Sequence, residues 1–189
     1  MCELGWRTAT RGKEFYDPHV FSNYDPMVAP PQFMIVGQNP GWNELKAQEP
    51  FIGRAGHNFN VELEKLEKGM WRRSDFYITN AIKCFTEGNR PPSQKNLETC
   101  EPFLRMEIAI IKPKLVIAFG TIAFSVLCGN KNKFSDNIGK IITSEKFGVK
   151  VFTTYHPSPL NLQDASKKKQ FGHDVSLICR ILNHYLTPF

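Results

Sequence analysis

The residues able to do chemistry fall into four groups: Gly37-Gln38-Asn39-Pro40-Gly41, Asn80, Gly120-Thr121, and Tyr155-His156-Pro157-Ser158-Pro159-Leu160. A side-chain amide carries a donor and an acceptor, so Gln38, Asn39 and Asn80 can hold a polar partner. His156 can change protonation near neutrality. The glycines leave backbone N–H groups open to close approach. No carboxylate stands in the first group, and an amide has no useful basicity, so a proton-abstracting base is missing there.

The elements around these groups explain why they should meet. Phe33-Met34-Ile35-Val36 is a short continuous apolar run, and Phe76–Thr79, Leu115–Phe119 and Val149–Thr153 are similar. Such runs read as buried strands. Helical patterns lie between or after them, at roughly His57–Lys68, Ser93–Ile111 with a break at Pro102, Thr121–Leu127 and Lys168–Tyr185. Alternation of this kind implies a parallel sheet with helices on both faces. The expected fold is α/β, a three-layer αβα sandwich on a four-stranded parallel sheet, formed by residues 33–189. Residues 1–32, with Pro18, Pro26, Pro30 and Pro31, read as an irregular N-terminal arm packed on that domain. In open α/β sheets ligands bind beyond the carboxyl ends of the strands. All four groups follow such ends.

A chain of 189 residues suits one domain, and 41% hydrophobic with 22% charged residues is an ordinary globular balance. No apolar run approaches membrane-spanning length, and the first fifteen residues contain no secretory apolar core. The expectation is a soluble, intracellular protein, cytoplasmic or in the nucleus or nucleoid, monomeric and without a membrane partner. The formal net charge of +6 suits a phosphate-rich partner, although an excess of this size also occurs as a merely solvated surface. Five cysteines, an odd number without an export signal, argue against disulfides; the thiols are then buried, reactive or bound to metal.

GQNPG, PFIGRAG, YITNAIKC followed by GNRPP, and HPSPL occur in this order. Together they resemble the uracil-DNA glycosylase superfamily over about Phe33 to Leu186. The likeness is strongest to the bacterial and archaeal iron–sulfur, family 4-like branch, which shares the PFIGRAG-type and Asn-Arg-Pro-Pro segments. The resemblance implies a repair enzyme that flips uracil, or another deaminated or mismatched base, out of DNA and hydrolyses its N-glycosidic bond.

It also implies roles. Asn80 would match the N3–H and O4 edge of uracil, where the bland alternative is an asparagine capping a strand end. Phe51 would stack on the flipped base; on composition alone it would be core. His156 would donate to uracil O2 as the bond breaks. Gly37 and Gln38 would line the base through the main chain, as the glutamine of the Gly-Gln-Asp-Pro-Tyr motif does in the commonest enzymes. Leu160 would fill the gap in the base stack, or be an ordinary loop leucine. Ser158 and Thr121 would grip flanking phosphates, with Lys167, Lys168 and Lys169 adding charge nearby.

Two departures from the family pattern matter. Nearest relatives carry glutamate and alanine where Gln38 and Asn39 stand. Asn39 resembles instead the asparagine-type branches; it would orient a water without deprotonating it, and Asn39→Asp is expected to be tolerated or to speed cleavage. Gly41 replaces a tyrosine that blocks the 5-methyl group of thymine, leaving Trp42 or the loop before Phe51 as other barriers.

Cys84 and Cys100 resemble two ligands of a [4Fe–4S] cluster, and Cys2 resembles the second thiol of an N-terminal Cys-x-x-Cys pair whose first thiol has no counterpart. Three thiolates leave one iron short. The cluster is therefore either incomplete or lost, and both readings stand. Cys128 and Cys179 read as packing residues. Two competing functions also remain: a uracil- or DNA-binding module that has lost hydrolysis, and a doubly wound enzyme acting on free nucleotides.

Overall fold

The structure, a computed structural model, describes residues 9–11, 14–17, 19–22, 31–66 and 71–186. It opens with an antiparallel hairpin of β1 (Ala9–Arg11) and β2 (Glu14–Tyr16), within the stretch from which the sequence suggested no regular element. Strands of three residues are too short to show an apolar period. The following segment joins the domain through the Val20 N–H, which donates to the Lys83 carbonyl at 2.7 Å, beside a His19–Cys84 bridge.

The domain proper then runs β3 (Phe33–Gly37), α1 (Trp42–Ala47), α2 (Arg54–Glu64), β4 (Phe76–Asn80), α3 (Gln94–Ile111), β5 (Leu115–Phe119), α4 (Gly120–Cys128), α5 (Phe134–Asn137), β6 (Ile141–Ser144), β7 (Val149–Thr154), α6 (Pro159–Leu162) and α7 (Ala165–Leu186). The sheet order is β4-β3-β5-β7-β6; the first four strands are parallel and β6 pairs antiparallel with β7. The sheet thus has five strands, not the expected four. The extra one is a half-exposed edge strand joined to β7 by a tight turn, in which Gly148 has φ +67° and Ser144 Oγ accepts from the Phe147 N–H.

Every residue of β3, β4 and β5 is buried, as continuous apolar strands covered on both faces should be. Alternation divides the core into two layers. Phe33, Ile35, Ile78, Ile117 and Phe119 pack with Phe59 of α2 and with Phe171, Val175 and Leu182 of α7. Met34, Val36, Tyr77, Val116 and Ala118 pack with Leu104 and Ile108 of α3 and with Ala123, Phe124 and Leu127 of α4. The αβα layering is as expected. Pro102 does not break α3. Its ring and Glu98, the residue four before it, are both exposed, so water can bond the carbonyl that the missing N–H leaves. Among the described residues no helix is long and apolar enough to cross a membrane.

Candidate active site

The parallel register sets Gly37 of β3 beside Asn80 of β4, so both strands finish at one level. Past that point the Ala81 and Ile82 N–H groups donate to the Gly37 and Gln38 carbonyls, each at 2.9 Å, which ties the two exit loops together. A Cβ on residue 37 would lie 2.6 Å from Asn80 Oδ1 and would collide with the Phe51 ring. Gly37 is therefore the meeting point of Phe51 and Asn80. Phe51 is buried with φ +56°, a left-handed conformation that its surroundings must hold. Arg73 does this by donating to the Phe51 carbonyl at 2.9 Å and to the Pro50 carbonyl, while pairing with Glu49 at 3.4 Å. The Phe51 ring lies 5.8 Å from Phe119 and 5.8 Å from the His156 imidazole. Asn80 is 2% exposed, and no group among the described residues bonds its side-chain amide.

One buried carboxylate links the first loop to the Phe51 loop. Glu44 Oε2 accepts from the Gly41 N–H at 3.1 Å and Oε1 from the Gly53 N–H at 2.7 Å. A Cβ at either glycine would approach those oxygens to 2.7 Å. The place where a side chain at residue 41 would begin is thus filled by Glu44. Trp42, next along, packs edge-on against Phe85 at 5.7 Å.

Asn39 faces the Thr86–Arg90 segment. Its Nδ2 donates to Thr86 Oγ1 at 2.9 Å and to the Pro40 carbonyl at 3.0 Å, with Asn89 Oδ1 at 3.5 Å. Its Oδ1 accepts from Gln38 Nε2 at 2.9 Å. The Thr86 hydroxyl spends its proton on the Arg90 carbonyl at 2.7 Å, so towards residue 39 it can only accept. Every partner of Nδ2 is an acceptor. The geometry asks for a donor there and reverses the expectation that aspartate would be tolerated.

His156 follows β7 and closes on Gly120, which has φ +85° and whose Cβ would stand 2.9 Å from His156 Cβ. Glycine meets both demands, the backbone conformation and the close approach. Burial pushes the His156 imidazole down to about 4, so the ring is neutral at physiological pH. Among the described residues no group bonds either ring nitrogen. A cavity of about 250 Å³ opens beside it, walled by Gln38, Phe119, Gly120, Thr121, Tyr155 and Lys167 among others. Phe51 and Asn80 are not on that wall. They reach the cavity's flank through the Phe51 contacts with His156 and Phe119.

The loop after His156 is fixed at several points. Asn58 Nδ2 donates to the Pro157 carbonyl at 2.9 Å, and Asn161 Nδ2 to the His156 carbonyl at 3.0 Å. Ser158 caps α6, its Oγ accepting from the Asn161 N–H at 3.4 Å. Leu160, on that single turn, is 79% exposed. Thr121 is exposed in the first turn of α4, and Lys167 sits 5.8 Å over the Tyr155 ring.

Cys84 and Cys100 lie in one small buried cluster with Ile82 and Leu97. Cys2 lies outside the described residues. Among the described residues no three His, Cys, Asp or Glu side chains gather as metal ligands. Among the described residues, Cys84 and Cys100 amount to two of the four thiolates such a cluster takes. Cys128 and Cys179 sit in α4 and α7, where burial pushes their thiols up to about 11 and about 12.

Sequence reasoning missed Glu44, Thr86, Arg73 and Lys83. Glu44 left a trace, since an acid three residues after a helix N-cap is a recognised start signal. The others act across the fold and left none.

A family model described as the uracil DNA glycosylase superfamily matches residues 27–175. The Type-4 uracil-DNA glycosylase of Pyrobaculum aerophilum is 37% identical over 150 residues, covering 76% of this chain and 74% of the relative. That of Thermotoga maritima is 33% identical over 151 residues, covering 74% and 77%. A Type-5 uracil-DNA glycosylase of Pyrobaculum aerophilum is 34% identical over 90 residues, 46% of this chain and 38% of the relative.

Proposed function

The chain belongs to the uracil DNA glycosylase superfamily, and from that premise we propose that it excises uracil from DNA by hydrolysing the N-glycosidic bond, leaving an abasic site. The observation that carries this reading is the continuity of Phe51, Asn80 and His156. Phe51 shares Gly37 with Asn80 on one side and touches the imidazole on the other.

A flipped uracil would lie on the Phe51 face, with the Asn80 amide accepting from N3–H and donating to O4. As the C1′–N1 bond breaks, its electron pair moves into the ring towards O2. The neutral His156 ring donates a hydrogen bond there and keeps its proton. A hydrogen bond to developing charge in a water-poor site is worth roughly 2.7–4 kcal/mol of barrier. Water then adds to the cationic C1′, positioned by the remaining lone pair of Asn39 Oδ1; the surplus proton leaves to solvent. No carboxylate takes part, so attack falls late. Leu160 would occupy the vacated stack, and Ser158, Thr121 and Lys167 would hold the flanking phosphates.

A DNA substrate puts the enzyme in whichever compartment holds the genome, and a monomer is the assembly proposed. No step is routed through iron. Cys2, Cys84 and Cys100 would supply three thiolates at most, and iron content with visible absorbance of the purified protein decides whether a cluster is held.

The test is incubation with a uracil-bearing oligonucleotide, single- and double-stranded, then alkali. Cleavage at uracil is expected. Intact strands would remove the assignment, and a gel shift without abasic product would select a binding module instead. A panel with mismatched thymine, hypoxanthine and xanthine sets the range, since residue 41 brings no side chain against a 5-methyl group.

A further inference from the structure

Lys83 is 1% exposed, three residues past the end of β4. Its ammonium donates to the Asn80 carbonyl at 2.7 Å, to Thr79 Oγ1 at 2.7 Å and to Glu107 Oε2 of α3 at 2.5 Å. Thr79 Oγ1 donates in turn to Glu107 Oε1 at 3.0 Å, and the Tyr77 hydroxyl bonds the same carboxylate. Three N–H groups therefore meet three acceptors, the full capacity of an ammonium. A buried ion pair is weak support for stability, because apolar residues of similar volume often do as well. What apolar residues could not supply is the donor to Asn80.

That bond matters because, among the described residues, no hydrogen bond holds the Asn80 side-chain amide itself. Packing at Gly37 confines the amide, and the backbone that bears it sets its direction. Bonding the carbonyl fixes the peptide plane that leaves Asn80. We propose that Lys83 is a positioning residue for base recognition: by holding the Asn80 carbonyl from the α3 side, it sets the angle at which the Asn80 amide meets the base edge. The proposal rests on Asn80 being the base-recognition residue.

A double-mutant cycle tests it, with steady-state kcat and KM on a uracil oligonucleotide and Tm for each variant. Lys83→Met should lower kcat/KM about 10- to 100-fold when Asn80 is present, but less than about 3-fold when Asn80 is already Ala. A merely structural lysine would shift Tm and reduce activity by the same factor in both backgrounds; that result overturns the proposal and leaves the recognition reading standing. Wild-type activity in Asn80→Ala would overturn the recognition reading, and the proposal with it. If Lys83→Met does not fold, the cycle is run with Lys83→Met/Glu107→Leu, which replaces the ion pair by an apolar one. The same non-additivity is expected there, and equal losses again refute it.

Discussion

Replacing Glu44 by glutamine exchanges one oxygen for an NH2 group and should loosen the whole front of the site. The carboxylate accepts one N–H on each oxygen, from Gly41 at 3.1 Å and from Gly53 at 2.7 Å. Glutamine can satisfy one of them; its NH2 then faces the other, donor against donor. A charge-assisted bond contributes about 1.5–3 kcal/mol, and a buried donor left unmet costs about 1–3 kcal/mol. The two describe overlapping losses, so Glu44→Gln should destabilise by about 2–3 kcal/mol, or about 5–10 °C in Tm for a domain of this size. Gly53 lies two residues after Phe51, whose left-handed backbone needs holding from both sides. With the Gly53 anchor lost, Phe51 relaxes and kcat/KM should fall about 10-fold or more, as small displacements of positioning groups do. Thermal unfolding and single-turnover cleavage read both effects. Unchanged Tm together with wild-type cleavage would refute the clamp.

Further outcomes follow from the same contacts. His156→Ala should slow cleavage about 10²- to 10³-fold with little change in oligonucleotide binding, measured by single-turnover rates and gel shift. The depressed His156 value sets a stability window: between about 4 and 6.5 the unfolded chain binds a proton that the folded one refuses. Stability is thus complete above that window and declines as pH falls through it, by at most about 3 kcal/mol; denaturant titrations across the window should show this decline, and His156→Ala should flatten it. Asn39→Asp should slow cleavage about 10-fold, since its carboxylate would face Thr86 Oγ1 and the Pro40 carbonyl, and adding Thr86→Ala should restore part of the rate. Leu160→Ala should weaken activity on duplex far more than on single-stranded DNA, because only a duplex has a stack to refill.

What the sequence made legible was whatever is local. Phe33–Gly37, Phe76–Asn80 and Leu115–Phe119 announce themselves as unbroken apolar runs, and the chemistry-bearing groups follow such runs. β6 escaped because an exposed edge strand need not be apolar throughout. Pro102 misled because a helix interrupts at proline only when its lost bond cannot be replaced, and exposure of that face is a tertiary fact. Thr86 and Lys83 were invisible for the same reason, and Glu44 showed only as a helix-start acid: each acquires its role from backbone groups brought to it by folding. The preference for an amide at residue 39 shows this well, because the proton commitment that enforces it lies 51 residues away at Arg90.

The single turn that carries Leu160 has a mechanical consequence. Asn161 holds the His156 carbonyl and the Ser158 cap at once, and Asn58 pins the intervening Pro157 from α2. Leu160 and His156 therefore sit on one braced loop. If Leu160 enters the stack and His156 faces the leaving base as proposed, resistance met at the tip would be felt at the imidazole, and a site that yields would let the histidine seat.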